Sequence, residues 1–494
     1  TIPEMVYALY GLNKIGAAPL MIDPRTTASG VCGFIKETGA KIFIVIDLYY
    51  EALKDALFES SVEKIVVISA DTSLPKSIRF LKQLKMTAPK IATSDKVLTW
   101  PQFSATGVGV ETETVEYGEN DLAAITLTGG TTGAPKGVML SNDGFNAIAF
   151  DFKHCGVSYK RGQRFMNIIP MFASYGIVSS LHMPLSLGLE VIIIPKFDAE
   201  KVGYYVKKYR PEHTLLVPAH YEKLMNSKEM AGGFDLSFFR TAGSGGDTMN
   251  AGLEAKLNSF LESRGCRYPL SQGYGMSEVS SAASCCCNGN FKSLSVGYPL
   301  LTTTIGIFEP GTDKELGYGE EGEICISGPS IMLGYLNNKA ETENVIRRHA
   351  DGTLWVHSGD IGHMDSDGFV YIKGRIKRMI TLFNGHKIFP THIESVLGRH
   401  PLVSSCAVVG VNDTTHAQGE LTLAVIETQE ASLEKRIAIK NELYEMCRQE
   451  LEGPAKPHDI IFTDSMPHTG MGKIDYLKLA EDYNNENKNE TEAV

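Results

Sequence analysis

The segment Leu127-Thr128-Gly129-Gly130-Thr131-Thr132-Gly133-Ala134-Pro135-Lys136-Gly137 constrains this 494-residue chain more than any other, because it gathers glycines and hydroxyls in one loop and closes it with a lysine. Glycines let backbone N–H groups turn toward an anion, Thr128, Thr131 and Thr132 add hydroxyl donors, and Lys136 supplies a point charge with no fixed angle of approach. Residues 122–127 read as a buried strand, and Ser141 is placed to cap a helix carrying Phe145, Ile148, Ala149 and Phe152 at helical spacing. The expected order is strand, phosphate-holding loop, strand-like exit and helix. A mononucleotide P-loop needs Gly-Lys-Ser/Thr opening the helix, whereas Pro135-Lys136-Gly137-Val138 stands here. A glycine-rich surface loop without function gives no reason for hydroxyls to crowd beside one lysine.

The length exceeds what one hydrophobic core supports, so two or more domains are expected. A formal net charge of −11 argues against nucleic acid or an anionic membrane as a general partner. A polyanionic ligand must then be held by local donors and a divalent metal. The nine cysteines include the run Cys285-Cys286-Cys287, which has no C-x-x-C pairing of a zinc site. Free thiols in a reducing compartment are expected, with core packing as the reading of the run and a cavity lining as its alternative. His154, His220 and His386 show no metal spacing and receive no catalytic role. The longest apolar run, Val191-Ile192-Ile193-Ile194, is too short to span a bilayer and no leader opens the chain, so a cytoplasmic location is expected. The first residues read as an amphipathic helix with Met5, Leu9, Leu12 and Ile15 on its apolar side. With no initiating methionine, a trimmed start and an incomplete first sheet are expected.

β-branched runs at 41–46, 64–68 and 214–217 alternate with helical segments, the pattern of parallel sheets covered by helices. Around Glu323-Ile324-Cys325-Ile326-Ser327-Gly328 the pattern becomes short strands and tight turns, and Asp365-Ser366-Asp367-Gly368 joins two strands, which predicts a small antiparallel subdomain. After Arg375 come a helix at 391–399, strands at 405–411 and 421–428, a helix at 433–451 and a strand at 460–463. The expected fold is α/β: a large domain over 1–376, a small mobile α+β domain over 377–480, and a polar tail over 481–494 without fixed structure.

Four further segments carry chemistry. In Gln272-Gly273-Tyr274-Gly275-Met276-Ser277-Glu278 the glycines permit close backbone approach to a flat ligand, Tyr274 offers an aromatic face, and Glu278 is a hard oxygen ligand suited to magnesium. In Trp355-Val356-His357-Ser358-Gly359-Asp360 the aspartate can accept two hydroxyl hydrogen bonds at once. Gly374-Arg375-Ile376-Lys377-Arg378 is basic, and Pro467-His468-Thr469-Gly470-Met471-Gly472-Lys473-Ile474 is a glycine-freed loop ending in a lysine. Taken singly these are a turn, an exposed aspartate, a solvated strand end and a solvated lysine.

Together and in this order they resemble the signatures of the adenylate-forming superfamily, which comprises acyl- and aryl-CoA synthetases, peptide-synthetase adenylation domains and firefly luciferase. The resemblance covers essentially the whole chain; Gly129 stands where the family's phosphate loop has serine, and Ser277 where threonine is usual. It implies that Thr128, Gly130, Thr131, Thr132 and Lys136 hold the triphosphate of ATP. Glu278 would hold Mg2+, and Tyr274, flanked by Gly273 and Gly275, would stack near adenine beside Ser277. Asp360 would bind both ribose hydroxyls, Arg375 phosphate or ribose, and Ile372 would lie beside the nucleotide. Lys377 takes the hinge position, while Arg378 replaces the usual acidic residue and reads as a solvated strand end. Lys473 would neutralise charge between carboxylate and α-phosphate, with Glu278 and Thr128 as the other catalytic groups.

The resemblance also implies that Phe172, Ala173 and Ser174 form a wall of the acyl pocket, which Gly245 and Gly246 border together with Gly273. Enzymes that activate α-amino acids place an aspartate near this point to pair the ammonium, and none is present. An uncharged fatty or aromatic acid is therefore expected, adenylated by ATP and passed to coenzyme A. A carrier-protein phosphopantetheine is the alternative acceptor, and a non-catalytic nucleotide sensor the alternative of another class.

Overall fold

The computed structural model describes residues 1–69, 72, 91–128, 135–195, 197–287, 289–413, 416, 419–430, 432–451, 453–468 and 474–491. In the largest sheet the strands Glu190–Ile193, Arg164–Asn167, His213–Leu216, Thr241–Ser244 and Ser271–Tyr274 run parallel, and Ser284–Cys285 and Tyr298–Pro299 extend one edge antiparallel. Side chains alternate across a strand, and here both faces are buried: Phe165 and Leu215 enter one apolar cluster, Met166 and Leu216 another. A smaller parallel sheet of Ile42–Ile46, Lys64–Ile68 and Val97–Thr99 packs against helices Ala28–Thr38 and Asp47–Glu59.

Leu122–Thr128 and Lys136–Ser141 pair antiparallel. Ser141 Oγ accepts from the Gly144 N–H at 3.0 Å, which satisfies one orphan donor of the helix Asn142–His154. That helix buries Phe145, Ile148, Ala149 and Phe152, as its spacing predicts. The first helix, Pro3–Lys14, buries Val6 and Leu9 while Ile15 is exposed, so the stripe Met5-Leu9-Leu12-Ile15 is corrected. Met5 and Leu9 of that stripe do pack on the cluster containing Ala123 and Ala124, joined by Val6, so the correction falls on Ile15.

The antiparallel subdomain is a five-stranded sheet of Thr304–Phe308, Gly322–Ser327, Leu354–Met364, Ile346–Arg348 and Val370–Arg375. After the one-turn helix Ile376–Arg378 comes the small α+β unit: Pro390–Leu397, Ser405–Asn412, Glu420–Glu427, Leu433–Glu450 and Asp459–Thr463. Val408 and Ala424 face those two helices, while Val409 and Val425 face the last helix, Tyr476–Thr491. The tail expected to lack structure from 481 instead continues this helix as far as Thr491. Leu479 and Tyr483 anchor it on the sheet, and Asn484 Oδ1 accepts from the Asn412 N–H at 2.8 Å. Among the described residues no helix is long and apolar enough to cross a membrane.

Candidate active site

A cavity of about 1450 Å³ opens at the carboxyl ends of the parallel strands, lined by Ile168, Ile194, Val217, Gly245 and Gly275, each just beyond a strand. Open α/β sheets bind ligands at this edge, because the strands end there and the following loops diverge.

Thr128 and Lys136 line the phosphate end, the Thr128 hydroxyl donating to the Lys136 carbonyl at 3.4 Å. Gly129, Gly130, Thr131 and Thr132 lie outside the described residues. Lys136 forms an ion pair with Glu341, and its Nζ stands 4.9 Å from the Tyr335 ring centre. Lys136 is therefore held in place by a carboxylate that an incoming phosphate would have to share or displace. Glu278 is buried; its Oε1 accepts from the Tyr335 hydroxyl at 2.6 Å, and Oε2 has no hydrogen-bond partner among the described residues. Burial first, and then the charge of Glu278, push the Tyr335 phenol upward, so the tyrosine stays a donor. One carboxylate oxygen facing a cavity suits Mg2+, which takes one or two protein carboxylates and completes its shell with phosphate and water.

Tyr274 and Asp360 meet directly: the phenol donates to Asp360 Oδ2 at 2.7 Å, and Arg375 Nε stands 2.9 Å from Oδ1. Burial, then Asp360, hold the Tyr274 phenol well above its ordinary range. Asp360 is 3% exposed and stands behind the cavity wall that Tyr274, Ser358, Gly359 and Arg375 form. Ile372 is partly exposed and not part of the lining. Gly273 and Gly275 do line it, but the need for glycine comes from the chain itself. A Cβ at 275 would sit 2.1 Å from the Ser281 carbonyl oxygen. Gly246 has φ of +80°, a conformation that side-chain-bearing residues rarely adopt.

At the acyl end Phe172, Ala173 and Ser174 line the cavity just ahead of the π-helical turn Tyr175–His182. The Ser174 and Ser277 hydroxyls are 2.9 Å apart, which ties the Phe172–Ser174 segment to the Tyr274–Glu278 segment. Asn167 also lines the cavity; it is 1% exposed and neither amide atom has a partner among the described residues. His220, on the same lining, is lowered to about 4 by burial and so is neutral at physiological pH. Cys155, Cys285 and Cys287 converge on the lining; Cys286 is buried in the core and Cys285 also packs against the apolar cluster, so the run combines core packing with cavity lining.

Lys377, Arg378 and Tyr476 bring the small unit to the cavity mouth. Arg378 is not a solvated strand end: its guanidinium bonds Glu394 Oε1 at 2.6 Å and lies 3.5 Å from the Tyr476 ring centre. An acidic partner at 394, sixteen residues downstream, gives no local signal. We expect Arg378→Ala to cost about 3–5 kcal/mol in urea unfolding, because it leaves Glu394 buried without its counter-charge. The loss should shrink at acid pH as Glu394 protonates, its pKa being already raised by burial. Lys473 and Thr469 lie outside the described residues. Their flanks are placed: His468 bridges Ile474, and Tyr476 and Leu477 line the cavity. Sequence reasoning missed Tyr335, Glu341, Asn167 and Cys155. Asn338 capping a helix with Glu341 in its first turn was a readable signal for that helix, but nothing in it points to Lys136.

Comparison with known proteins agrees with this geometry. The family model described as AMP-binding enzyme matches residues 1–336, and the AMP-binding enzyme C-terminal domain matches 392–473. A long-chain-fatty-acid–CoA ligase of Bacillus subtilis (strain 168) is 28% identical over 490 residues, covering 97% of this chain and 84% of the relative. A probable 4-coumarate–CoA ligase 1 of Dictyostelium discoideum is 30% identical over 440 residues, covering 88% and 77%. ATP-bound MatB from Rhodopseudomonas palustris shares the fold with a TM-score of 0.81 at 22% identity, over 98% of this chain and 87% of that one. An anthranilate CoA ligase, AuaEII, solved with anthranoyl-AMP, superimposes with a TM-score of 0.80 at 21% identity, over 97% and 85%. With both parts of the chain matched in order and Thr128, Lys136, Tyr274, Glu278 and Arg375 on one cleft, this protein belongs to the AMP-binding enzymes, the adenylate-forming superfamily.

Proposed function

We propose that the chain is an AMP-forming acid–thiol ligase that activates a fatty or aromatic carboxylic acid and transfers it to coenzyme A. A carboxylate oxygen attacks the α-phosphorus of ATP, the bond to the bridging oxygen breaks, and pyrophosphate leaves. The thiol of coenzyme A then attacks the acyl carbon, gives up its proton, and AMP departs. Carboxylates are poor acyl donors, and the adenylate supplies a good leaving group. The observation that carries the reading is the single cavity: Thr128 and Lys136 at one end, Tyr274 to Glu278 and Arg375 along the wall, and Phe172 to Ser174 at the other end.

The protein's part is mainly positioning and electrostatics. Arg375, Asp360 and Tyr274 form a prebuilt cradle for the sugar. The phosphate loop and Lys136 grip the triphosphate, and Mg2+, held by Glu278 and phosphate oxygens, would offset charge on the leaving pyrophosphate. Lys473 serves the adenylation step. Domain division at 376/377, with Lys377 as the hinge, lets the small domain over 377–480 withdraw Lys473 and present another face to the thiol.

The nature of the acid follows from the lining. It has no acidic residue at the Phe172 wall to pair a substrate ammonium, and the relatives named above include enzymes for long-chain fatty acids and for 4-coumarate. Asn167 refines this, because a buried unpaired amide costs free energy that a hydrogen-bonding group at the far end of the acid would offset. Asn167→Leu is expected to move kcat/KM roughly tenfold toward acids with a wholly apolar far end. Unchanged ratios across matched hydroxylated and unsubstituted acids would remove Asn167 from specificity. Pyrophosphate exchange over a panel of aliphatic and aromatic acids tests the ligase reading, and turnover with free coenzyme A separates it from carrier-protein loading. No exchange with any acid would leave a nucleotide-binding sensor.

A further inference from the structure

Cys155, Cys285 and Cys287 reach one point of the cavity from separate parts of the chain. Cys155 follows the helix Asn142–His154, Cys285 ends a strand directly opposite Gly273, and Cys287 bridges Asn290. Their sulfur atoms all lie within 4.8 Å of one another, those of Cys285 and Cys287 at 3.1 Å. All three are free thiols on the cavity lining. Cys155 and Cys285 also pack against the apolar cluster, as cysteines commonly do, but packing alone does not require three sulfurs to gather at one point of a cavity wall. Tetrahedral coordination with metal–sulfur bonds of about 2.3 Å sets sulfurs roughly 3.8 Å apart, so small side-chain rotations bring this triad to bonding distance. Three soft donors select soft cations and reject the hard magnesium that suits Glu278.

We propose that Cys155, Cys285 and Cys287 form a three-thiol site for one thiophilic d10 cation of the Cu(I), Zn(II) or Cd(II) class, and that its occupation blocks the acyl end of the cavity. Each ligating sulfur donates a lone pair and releases its proton to solvent, with no change of oxidation state. The absence of a side chain at Gly273 leaves Cys285 open to the cavity, so a bound cation and its remaining ligand occupy space the acid needs. A second cluster, Glu323, Cys325 and His357, also falls within 4.8 Å. It is buried and internally satisfied, His357 bonding Glu323 at 2.9 Å and His349 at 3.0 Å, and it serves as the control.

The probe is Cd2+ added to the full chain in a thiol-free reducing buffer. The expected result is a thiolate-to-cadmium charge-transfer band that saturates at one equivalent, persists in Cys325→Ser and is lost in the Cys155→Ser, Cys285→Ser double variant. In the unmutated protein, Cd2+ should protect residues 155, 285 and 287 together from alkylation, read by mass spectrometry, which needs no variant to fold. The blocking part rests on the proposed ligase activity: Cd2+ should raise the apparent KM for the acid and leave that for ATP unchanged. A band retained in the double variant, protection confined to other cysteines, or triad binding with an unchanged KM for the acid would each overturn the proposal. Cadmium bound at the triad of a protein with no exchange activity would support the site and refute the ligase.

Discussion

Lys473→Ala lowers carboxylate-dependent pyrophosphate exchange by about 10²–10³-fold, the usual effect of removing one preorganised charge-stabilising donor, and leaves thioester formation from supplied acyl-adenylate near its original rate. The first step sets a carboxylate against a triphosphate, so two anions must approach before any bond forms. A cation delivered between them acts where negative charge accumulates, and its loss should fall on kcat more than on KM. In the second step the nucleophile is a thiol and the carboxylate charge is gone, so the lysine has no comparable task. On either side of 469–473, His468 bridges Ile474 and Tyr476 lines the cavity. Stopped-flow measurement of both half-reactions reads the difference. Equal losses in both would refute the division of labour.

Asp360→Ala should raise KM for ATP and lower kcat/KM by about 10–100-fold, since a hydrogen bond to a charged group is worth roughly 1.5–3 kcal/mol and Arg375, its charged partner, stays half exposed. Asp360 is 3% exposed and holds both Tyr274 and Arg375. The substitution therefore strands a guanidinium and frees a phenol at the same time. Sugar contacts persist from ground state to transition state, so kcat should change far less than KM. Titration of nucleotide binding by calorimetry checks this independently of turnover. An unchanged affinity for ATP would mean that Asp360 braces the wall without touching the nucleotide.

Local chemistry was readable in the sequence where it is self-contained. The hairpin Leu122–Thr128 and Lys136–Ser141, the Ser141 cap and the strands of the small unit follow from spacing and capping within a few residues of each other. The same holds for the turn at 365–368, where Asp365 Oδ1 accepts from the N–H groups of Asp367 and Phe369. Features decided by a distant partner were misread. Arg378 reads as solvated until Glu394 and Tyr476 are brought beside it, and nothing near Lys136 in sequence announces its pairing with Glu341. In the first helix only the neighbouring cluster brings Val6 in beside Met5 and Leu9. The run of cysteines carries no clue to Cys155, about 130 residues earlier. Polar composition past 481 suggested a loose tail because it cannot register the apolar anchor at Leu479 and Tyr483.

Oxygen-18 placed in the carboxylate of an accepted acid follows the chemistry itself. If the carboxylate attacks the α-phosphorus and a thiol later cleaves the acyl–oxygen bond, one labelled oxygen must leave with AMP and none with pyrophosphate. Mass spectrometry of the nucleotide after turnover with coenzyme A should find that label. Unlabelled AMP, with the oxygen-18 recovered in inorganic phosphate or wholly in the thioester and water, would contradict adenylation in this cleft.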